Sequence, residues 1–390
     1  MLLQKPEKLA KNYWKIFNLR NVNYPQENSR YIGKIPVRNI WLLMFYASNL
    51  YKHIDGKRIA VEENPDDIPD LIAEILTKIV ERRLKRNLCH GYRKKDAELN
   101  RVRGRINTLE TERKQLLFRG RVACSFYELS VDRPRNRFVR AALEELVKLV
   151  TTPELKSRCR SMASTFKYMG VIGEKPTRNE MSVDRIARHD TEDLQMVEAA
   201  DLVFNLALPT ERTGPRYLYQ PNKEISWLRN LFEKAVAGFY KVILSDQGWK
   251  VEAGKKINWL IEEKTSGIDE IMPAMKTDIV LEHAASKRRI VIDTKFNSIL
   301  TKGWYREQSL RSGYLYQIYT YLRSQENDDD PLSFNSTGLL LHPAAGSMVD
   351  ESAVIQGHEI RFATVDLGGQ AREIRKQLLY LVGASEESSI

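Results

Sequence analysis

Lys276-Thr277-Asp278-Ile279-Val280-Leu281-Glu282 and Arg289-Ile290-Val291-Ile292-Asp293-Thr294-Lys295-Phe296 read as the two strands of a β-hairpin. Side chains alternate faces along a strand, so Asp293 and Lys295 point one way while Ile292 and Thr294 point the other. The run Arg289-Ile290-Val291-Ile292-Asp293 otherwise has the apolar continuity of a buried central strand. An acid at the end of such a strand is costly unless it is paired or holds a metal. Asp278, on the neighbouring strand, can share a divalent cation with Asp293, leaving Lys295 close enough to handle a water or a phosphate oxygen. Two carboxylate oxygens, water and a phosphate make the incomplete oxygen shell that Mg²⁺ takes. A surface hairpin with solvated charges carries the same residue types, but the apolar run around Asp293 favours the buried reading.

Two flanking segments fall at useful distances. Upstream, residues 225–240 have apolar side chains at helical spacing, with Glu233 placed either toward the sheet or as a solvated acid. Downstream, residues 314–323 read as a helix in which Gln317 and Tyr321, four apart, share one face. Tyr321 there reads equally as core packing.

A helix with Glu, a strand with Asp, a strand with Asp-x-Lys and a helix with Gln-x-x-x-Tyr, in that order, resemble the PD-(D/E)xK nuclease superfamily. Ile35-Pro36-Val37-Arg38-Asn39-Ile40-Trp41-Leu42-Leu43-Met44-Phe45-Tyr46-Ala47 is similar to the opening signature of McrC, the nuclease subunit of McrBC restriction systems. Gly91-Tyr92-Arg93, Val102-Arg103-Gly104-Arg105-Ile106, Cys124-Ser125-Phe126-Tyr127-Glu128 and Asn136-Arg137 fit the same family. The resemblance runs from about Ile35 to the C-terminus, and residues 1–34, a polar basic extension, have no counterpart in it.

The resemblance implies a mixed α/β protein. Residues 35–213 would form an N-terminal α+β domain that docks on a motor, and residues 214–390 a PD-(D/E)xK endonuclease domain of α/β/α build. It implies Mg²⁺ held by Asp278, Asp293 and the backbone carbonyl of Thr294, with Glu233 completing the metal shell or holding a water. Lys295 would position or deprotonate the attacking water, and Gln317 and Tyr321 would orient the site or touch the phosphate backbone. It implies a partner AAA+ GTPase of the McrB type, expected as a hexameric ring whose hydrolysis the N-terminal part stimulates. Double-stranded DNA would be the substrate, and a second copy of the chain would serve double-strand cleavage, since one site cuts one strand. No Gly-x-x-x-x-Gly-Lys-Ser/Thr phosphate loop occurs in the sequence, so a nucleotide-driven process needs its motor in another chain. Two alternatives stay open: a non-cleaving activator of an AAA+ NTPase on a degenerate nuclease fold, and an autonomous repair nuclease.

Bulk properties agree with this frame. The 390 residues allow two domains with real cores, and 42% hydrophobic residues with a mean hydropathy of -0.45 describe a soluble globular chain. The apolar stretch 40–50 is too short for a bilayer and begins too late for a signal peptide. Cys89, Cys124 and Cys159 are widely spaced, which suggests reduced thiols in a cytoplasm and no structural zinc. His283 and His342 read as loop or strand-end residues. The net charge of +11 favours a polyanionic partner. It is concentrated between Arg82 and Arg105, where ten Lys/Arg face only Asp96 and Glu98, and again at Arg133, Arg135, Arg137 and Arg140. Each cluster reads as a solvated face, a DNA contact or a contact with an acidic partner.

Periodicity places further helices at 40–51, 68–88 (with Pro69 in the first turn), 137–150 and 371–381, and strands at 102–109, 123–129, 338–341 and 354–365. Residues 170–190 read as loop, and the irregular stretch 209–221 marks a domain boundary.

Overall fold

The structure, a computed structural model, describes residues 31–32, 35–53, 65–187, 190–211, 221–301, 307–344 and 348–384. The irregular stretch 212–220 lies outside them. The chain forms two compact units, Met1–Ile68 with Leu208–Ile390, and Pro69–Ala207. Residues 35–68, which the sequence grouped with the first domain, thus pack with the sheet-bearing part of the chain. Among the described residues no helix is long and apolar enough to cross a membrane.

The signature segment Ile35–Ala47 builds helix α1 (Val37–Tyr46), in which every residue except Arg38 and Trp41 is buried. The helix is shorter than the expected 40–51, and Asn49–His53 continues as a separate 3-10 turn. Asn39 is wholly buried, and its amide donates to the Leu367 and Gly369 carbonyls at 2.7 and 2.9 Å. A polar residue on an apolar helix is tolerated because its amide N–H groups are satisfied by these two carbonyls.

The second unit begins with helix α2 (Ile68–Lys85), whose first turn holds Pro69 as expected. Strand β1 (Gly91–Leu99), strand β2 (Arg105–Ile106) and strand β3 (Val122–Ser130) make a sheet with β3 in the centre. The strand expected over 102–109 is cut to two residues, because Asn107 accepts a hydrogen bond from the Glu110 N–H at 3.2 Å and caps the helix Thr108–Arg113. The loop expected over 170–190 contains a short helix, Arg178–Val183, opened by a capping box between Thr177 and Glu180. Helices α3 (Pro134–Leu149), α4 (Pro153–Tyr168) and α5 (Thr191–Glu211) complete the unit.

The arginine cluster at the head of α3 is not a contact face. Arg135 is 2% exposed, and its guanidinium donates to Asp184 and, at 2.9 Å, to Asp193. Arg133 pairs with the same Asp184, Arg137 with Glu180, and Arg140 donates to the Gly173 carbonyl. Arg83 reaches Asp193 at 2.8 Å, which uses one cation of the other basic run as well. These charges are spent inside the unit, holding α3 to α5 and to the segment before it.

The first unit resumes with helix α6 (Pro221–Ile243) and a six-stranded sheet. Its strands are β4 (Trp249–Ala253), β5 (Ile279–His283), β6 (Arg288–Thr294), β7 (Thr337–Ala344), β8 (Asp350–Ile355) and β9 (His358–Asp366). The spatial order is β8-β9-β7-β6-β5-β4, with β7 parallel to both β6 and β9 and the other pairs antiparallel. Helix α7 (Ser312–Arg323) connects β6 to β7, and helix α8 (Ala371–Val382) follows β9. The architecture is mixed α/β. Val291, Leu340, Ile360 and Phe362 form one apolar face against Ile318, Tyr321 and Leu322 of α7. Ile290, Ile292, Leu339 and Leu341 project to the other face and are also buried. Gly338 lets α7 come close, since a Cβ there would lie 2.8 Å from the Ile318 side chain.

The expected strand 276–282 is interrupted. Met275–Lys276 pairs with Lys256–Ile257, and β5 starts only at Ile279, so Thr277 and Asp278 sit in a bend.

Two substitutions test these contacts. A Cβ at Gly238 of α6 would lie 2.0 Å from the Tyr46 carbonyl oxygen of α1. Gly→Ala inside an ordinary helix stabilises by about 0.5–1 kcal/mol; Gly238→Ala is expected to reverse that sign and destabilise by ~1–3 kcal/mol, read as a lower denaturant midpoint. Arg135→Met removes the guanidinium that bridges the buried Asp184 and Asp193, leaving Arg133 and Arg83 as their remaining partners, and is expected to cost about 3 kcal/mol, read as early melting of the second unit.

Candidate active site

Asp293 is the second-last residue of β6 and is 1% exposed, on the face that meets α7. Lys295 follows one residue after the strand, and its main-chain N–H still bonds the Leu341 carbonyl at 3.0 Å. The Lys295 ammonium donates to Asp293 Oδ1 at 3.0 Å and lies 2.8 Å from Oδ2 without hydrogen-bond alignment. Oδ2 is therefore sealed from solvent with no hydrogen-bond partner. Asp278 is anchored from the bend: its Oδ2 accepts from the Thr294 N–H at 2.7 Å and the Thr294 hydroxyl at 2.8 Å. Its carbonyl accepts from the Gly254 N–H at 2.7 Å. Asp278, Asp293, Thr294 and Lys295 are thus brought together as the sequence suggested.

The electrostatics identify excess negative charge. Burial pushes the Asp293 carboxyl up to about 6; Lys295 opposes this, and the Asp278 and Glu233 carboxylates add to it. Glu233 stands on α6, half-buried, and its carboxyl is raised by burial and then by Asp278, against Lys276, Lys234 and Lys295. It makes no hydrogen bond to Asp278, Asp293 or Lys295. Gln317 donates to the Tyr321 hydroxyl at 2.6 Å, and burial raises the Tyr321 phenol while that bond lowers it. The pair lies on the face of α7 that packs over β6, and Asp293 contributes to the Tyr321 shift.

A divalent cation fits this donor set. Asp293 Oδ2 is an orphaned hard oxygen, and the hydrogen bonds to Asp278 fall on Oδ2 alone. Among the described residues no group of three His, Cys, Asp or Glu could hold an ion by itself. The fit therefore rests on Asp278 and Asp293, with other positions supplied by backbone, water or substrate, as Mg²⁺ accepts.

Three neighbours were not singled out from sequence. Asn297 is 7% exposed, donates to the Tyr314 hydroxyl at 2.5 Å, and leaves its Oδ1 buried and unpartnered. The Tyr314 ring lies under the Lys295 ammonium at 5.3 Å. His342 is buried inside β7, not in a loop or at a strand end, and its Nδ1 meets the Asn297 carbonyl at 3.0 Å. Asn297 stands two residues after Lys295, the period that carried Asp293 to Lys295. His342 interrupts an apolar run much as Asp293 does. Those were the available signals.

Burial pushes the His342 imidazole down to about 4, helped by the Lys295 and Arg311 charges and opposed by the Asn297 bond. The unfolded ring takes up a proton below about pH 6.5, while the folded ring resists until about 4. Its contribution is complete above the upper value and is lost as pH falls through this window, at about 1.4 kcal/mol per unit. His342→Gln is expected to flatten the fall in urea midpoint between those two pH values relative to the native chain.

Residues 13–335 match the family described as McrBC 5-methylcytosine restriction system component. The chain is 24% identical over 348 residues to the type IV methyl-directed restriction enzyme EcoKMcrBC of Escherichia coli (strain K12), covering 88% of this chain and 96% of the relative. Two solved structures from Thermococcus gammatolerans also match, each at 13% identity. One is the half-complex from a tetradecameric assembly of McrB AAA+ hexamers with bound McrC, with TM-score 0.40, covering 96% of this chain and 93% of that one. The other is the McrBC complex, with TM-score 0.31, covering 55% and 81%. With the match extending over most of its length, from ahead of the α1 signature to beyond the Asp293 strand and α7, the chain belongs to the McrBC family of restriction system components.

Proposed function

We propose that this chain is the Mg²⁺-dependent DNA endonuclease subunit of a McrBC-type restriction system, its sheet-bearing unit being a PD-(D/E)xK nuclease domain. The observation that carries the reading is the carboxylate of Asp293, buried at the end of a central strand, left with an unpartnered oxygen and shared with Lys295. The ammonium lies 2.8 Å from this oxygen without an aligned hydrogen bond, so the oxygen keeps a lone pair for another ligand.

Asp278 and Asp293, with the Thr294 carbonyl, would hold the cation. Bound there, Mg²⁺ supplies a lowered water pKa and neutralises charge on the phosphate. Lys295, steadied by Asp293, orients the attacking water and offsets the negative charge that builds on the phosphate oxygens. Glu233, with its raised carboxyl, is suited to hold a water at the edge of the site. Because Gln317 donates to Tyr321, the phenolic O–H stays free to meet a phosphate oxygen, and the pair orients the substrate strand.

The partner is an McrB-like AAA+ GTPase, docked through the unit Pro69–Ala207. Membership of the McrBC family and the absence of a phosphate loop in the sequence support this. Two copies meeting on double-stranded DNA would cut both strands.

The test is plasmid cleavage by the chain with its AAA+ partner, GTP and Mg²⁺. Asp278→Asn and Asp293→Asn are each expected to slow cutting by about 10³-fold or more, with partner GTP hydrolysis still stimulated. Undiminished cutting by either variant would remove the site. Stimulated hydrolysis with DNA left whole by the native chain, on methylated and unmethylated plasmid alike, would make it a non-cleaving activator instead.

A further inference from the structure

Among the described residues, Arg311 is a cation without a counter-ion at the edge of this site. It precedes α7 as its N-cap residue, and its guanidinium lies 6.0 Å from the centroid of the Tyr314 ring. The same ring carries the Lys295 ammonium at 5.3 Å, so one aromatic side chain brings both cations to the same neighbourhood. The Arg311 side chain is only partly exposed, and its Nε is buried with no hydrogen-bond partner. Among the described residues no carboxylate pairs with it.

Among the described residues, exposed arginines such as Arg101, Arg103 and Arg105 also lack an acid, but Arg311 is partly withdrawn from water, as the paired arginines that follow are. Arg133, Arg135, Arg137, Arg289 and Arg361 each meet an acid in the same fold. A guanidinium that is half-withdrawn from water and left unpaired forfeits solvation without recovering it. Its charge also reaches His342, where burial lowers the imidazole first and the Lys295 and Arg311 charges add to it. No side chain of the site thus compensates Arg311, and its planar fork of donors matches two oxygens of a phosphodiester.

We propose that Arg311 is a substrate-binding residue that grips a backbone phosphate of the DNA strand, with the Tyr314 ring as the support shared between it and Lys295. The proposal rests on the nuclease reading above and adds to it a second phosphate contact beside the one served by Lys295. The Tyr314 ring keeps the guanidinium oriented while Asn297, by bonding the Tyr314 hydroxyl, fixes the ring. Arg311 touches the strand but takes no part in proton transfer.

The experiment measures DNA binding by the full chain with its AAA+ partner, with Ca²⁺ replacing Mg²⁺ to suppress cutting, over a series of salt concentrations. Arg311→Met is expected to weaken binding by about tenfold and to lower the slope of log Kd against log salt by about one. Arg311→Lys, which keeps the charge but loses the fork, is expected to retain the slope and lose only part of the affinity. Lys287→Met, at the turn that opens β6 and so at the far end of the strand from Asp293, serves as the charge control and is expected to change neither. A DNA carrying one neutral methylphosphonate at the contacted position should bind the native chain more weakly and bind Arg311→Met no worse than unmodified DNA does. If Arg311→Met binds as the native chain does while Asp293→Asn still blocks cutting, Arg311 is not a DNA contact and the nuclease reading stands. Equal methylphosphonate losses at every position in both proteins would likewise overturn the contact. If the native chain cuts no DNA under any condition, the nuclease reading falls and this proposal falls with it.

Discussion

The sheet of the first unit is covered on both faces at β6, and this double burial is the constraint on which the site depends. Ile290 and Ile292 face one layer and Val291 the other, so a carboxylate at Asp293 cannot reach bulk water. Ionised, it needs positive charge close by, and Lys295 answers it while the Asp278 and Glu233 carboxylates act against it. Burial first, and then the neighbouring carboxylates, raise the Asp293 carboxyl, while Oδ2 is left without an aligned hydrogen bond. A fold seeking stability alone would place an apolar residue there.

The surrounding elements fix the geometry around that carboxylate. Asp278 could have drifted on its bend, but the Thr294 N–H and hydroxyl both hold its carboxylate to the end of β6. Gly338 admits α7 close against the sheet, which brings Tyr321 over the Asp293 side. On the other side, Gly238 lets α6 meet α1 at the Tyr46 carbonyl. The residue positions that look permissive are therefore the ones that set the distances.

How much of this was legible follows from the physics of each signal. Strand β6 and helix α7 were readable because apolar residues repeat at periods of two and about 3.6. Strand β1 was not, since Arg93, Lys94, Lys95, Asp96 and Glu98 are exposed and leave no apolar face to count. The Asp-x-Lys pair could be placed by alternation, yet the break at Thr277 depends on a pairing with Lys256–Ile257 that is remote in sequence. The arginines at 133–140 misled because composition records charge but not its partner: Asp184 and Asp193 lie some fifty residues on, and only the fold brings them together. Arg311 escaped notice for the opposite reason, since isolation is a property of the neighbourhood.

The Asn39 amide joins α1 to carbonyls 328 and 330 residues later. The unit that carries the candidate site is thus joined across its two separate stretches of chain, whereas Pro69–Ala207 is continuous. During synthesis the continuous unit has all its own residues on the ribosome side of completion early, and domains fold as units when their residues emerge. The first unit must wait, with the apolar surface of α1 unsatisfied, until Leu367 and Gly369 leave the exit tunnel. A nascent chain can therefore complete Pro69–Ala207 before the unit that carries Asp278 and Asp293, so the order of emergence itself separates the two in time.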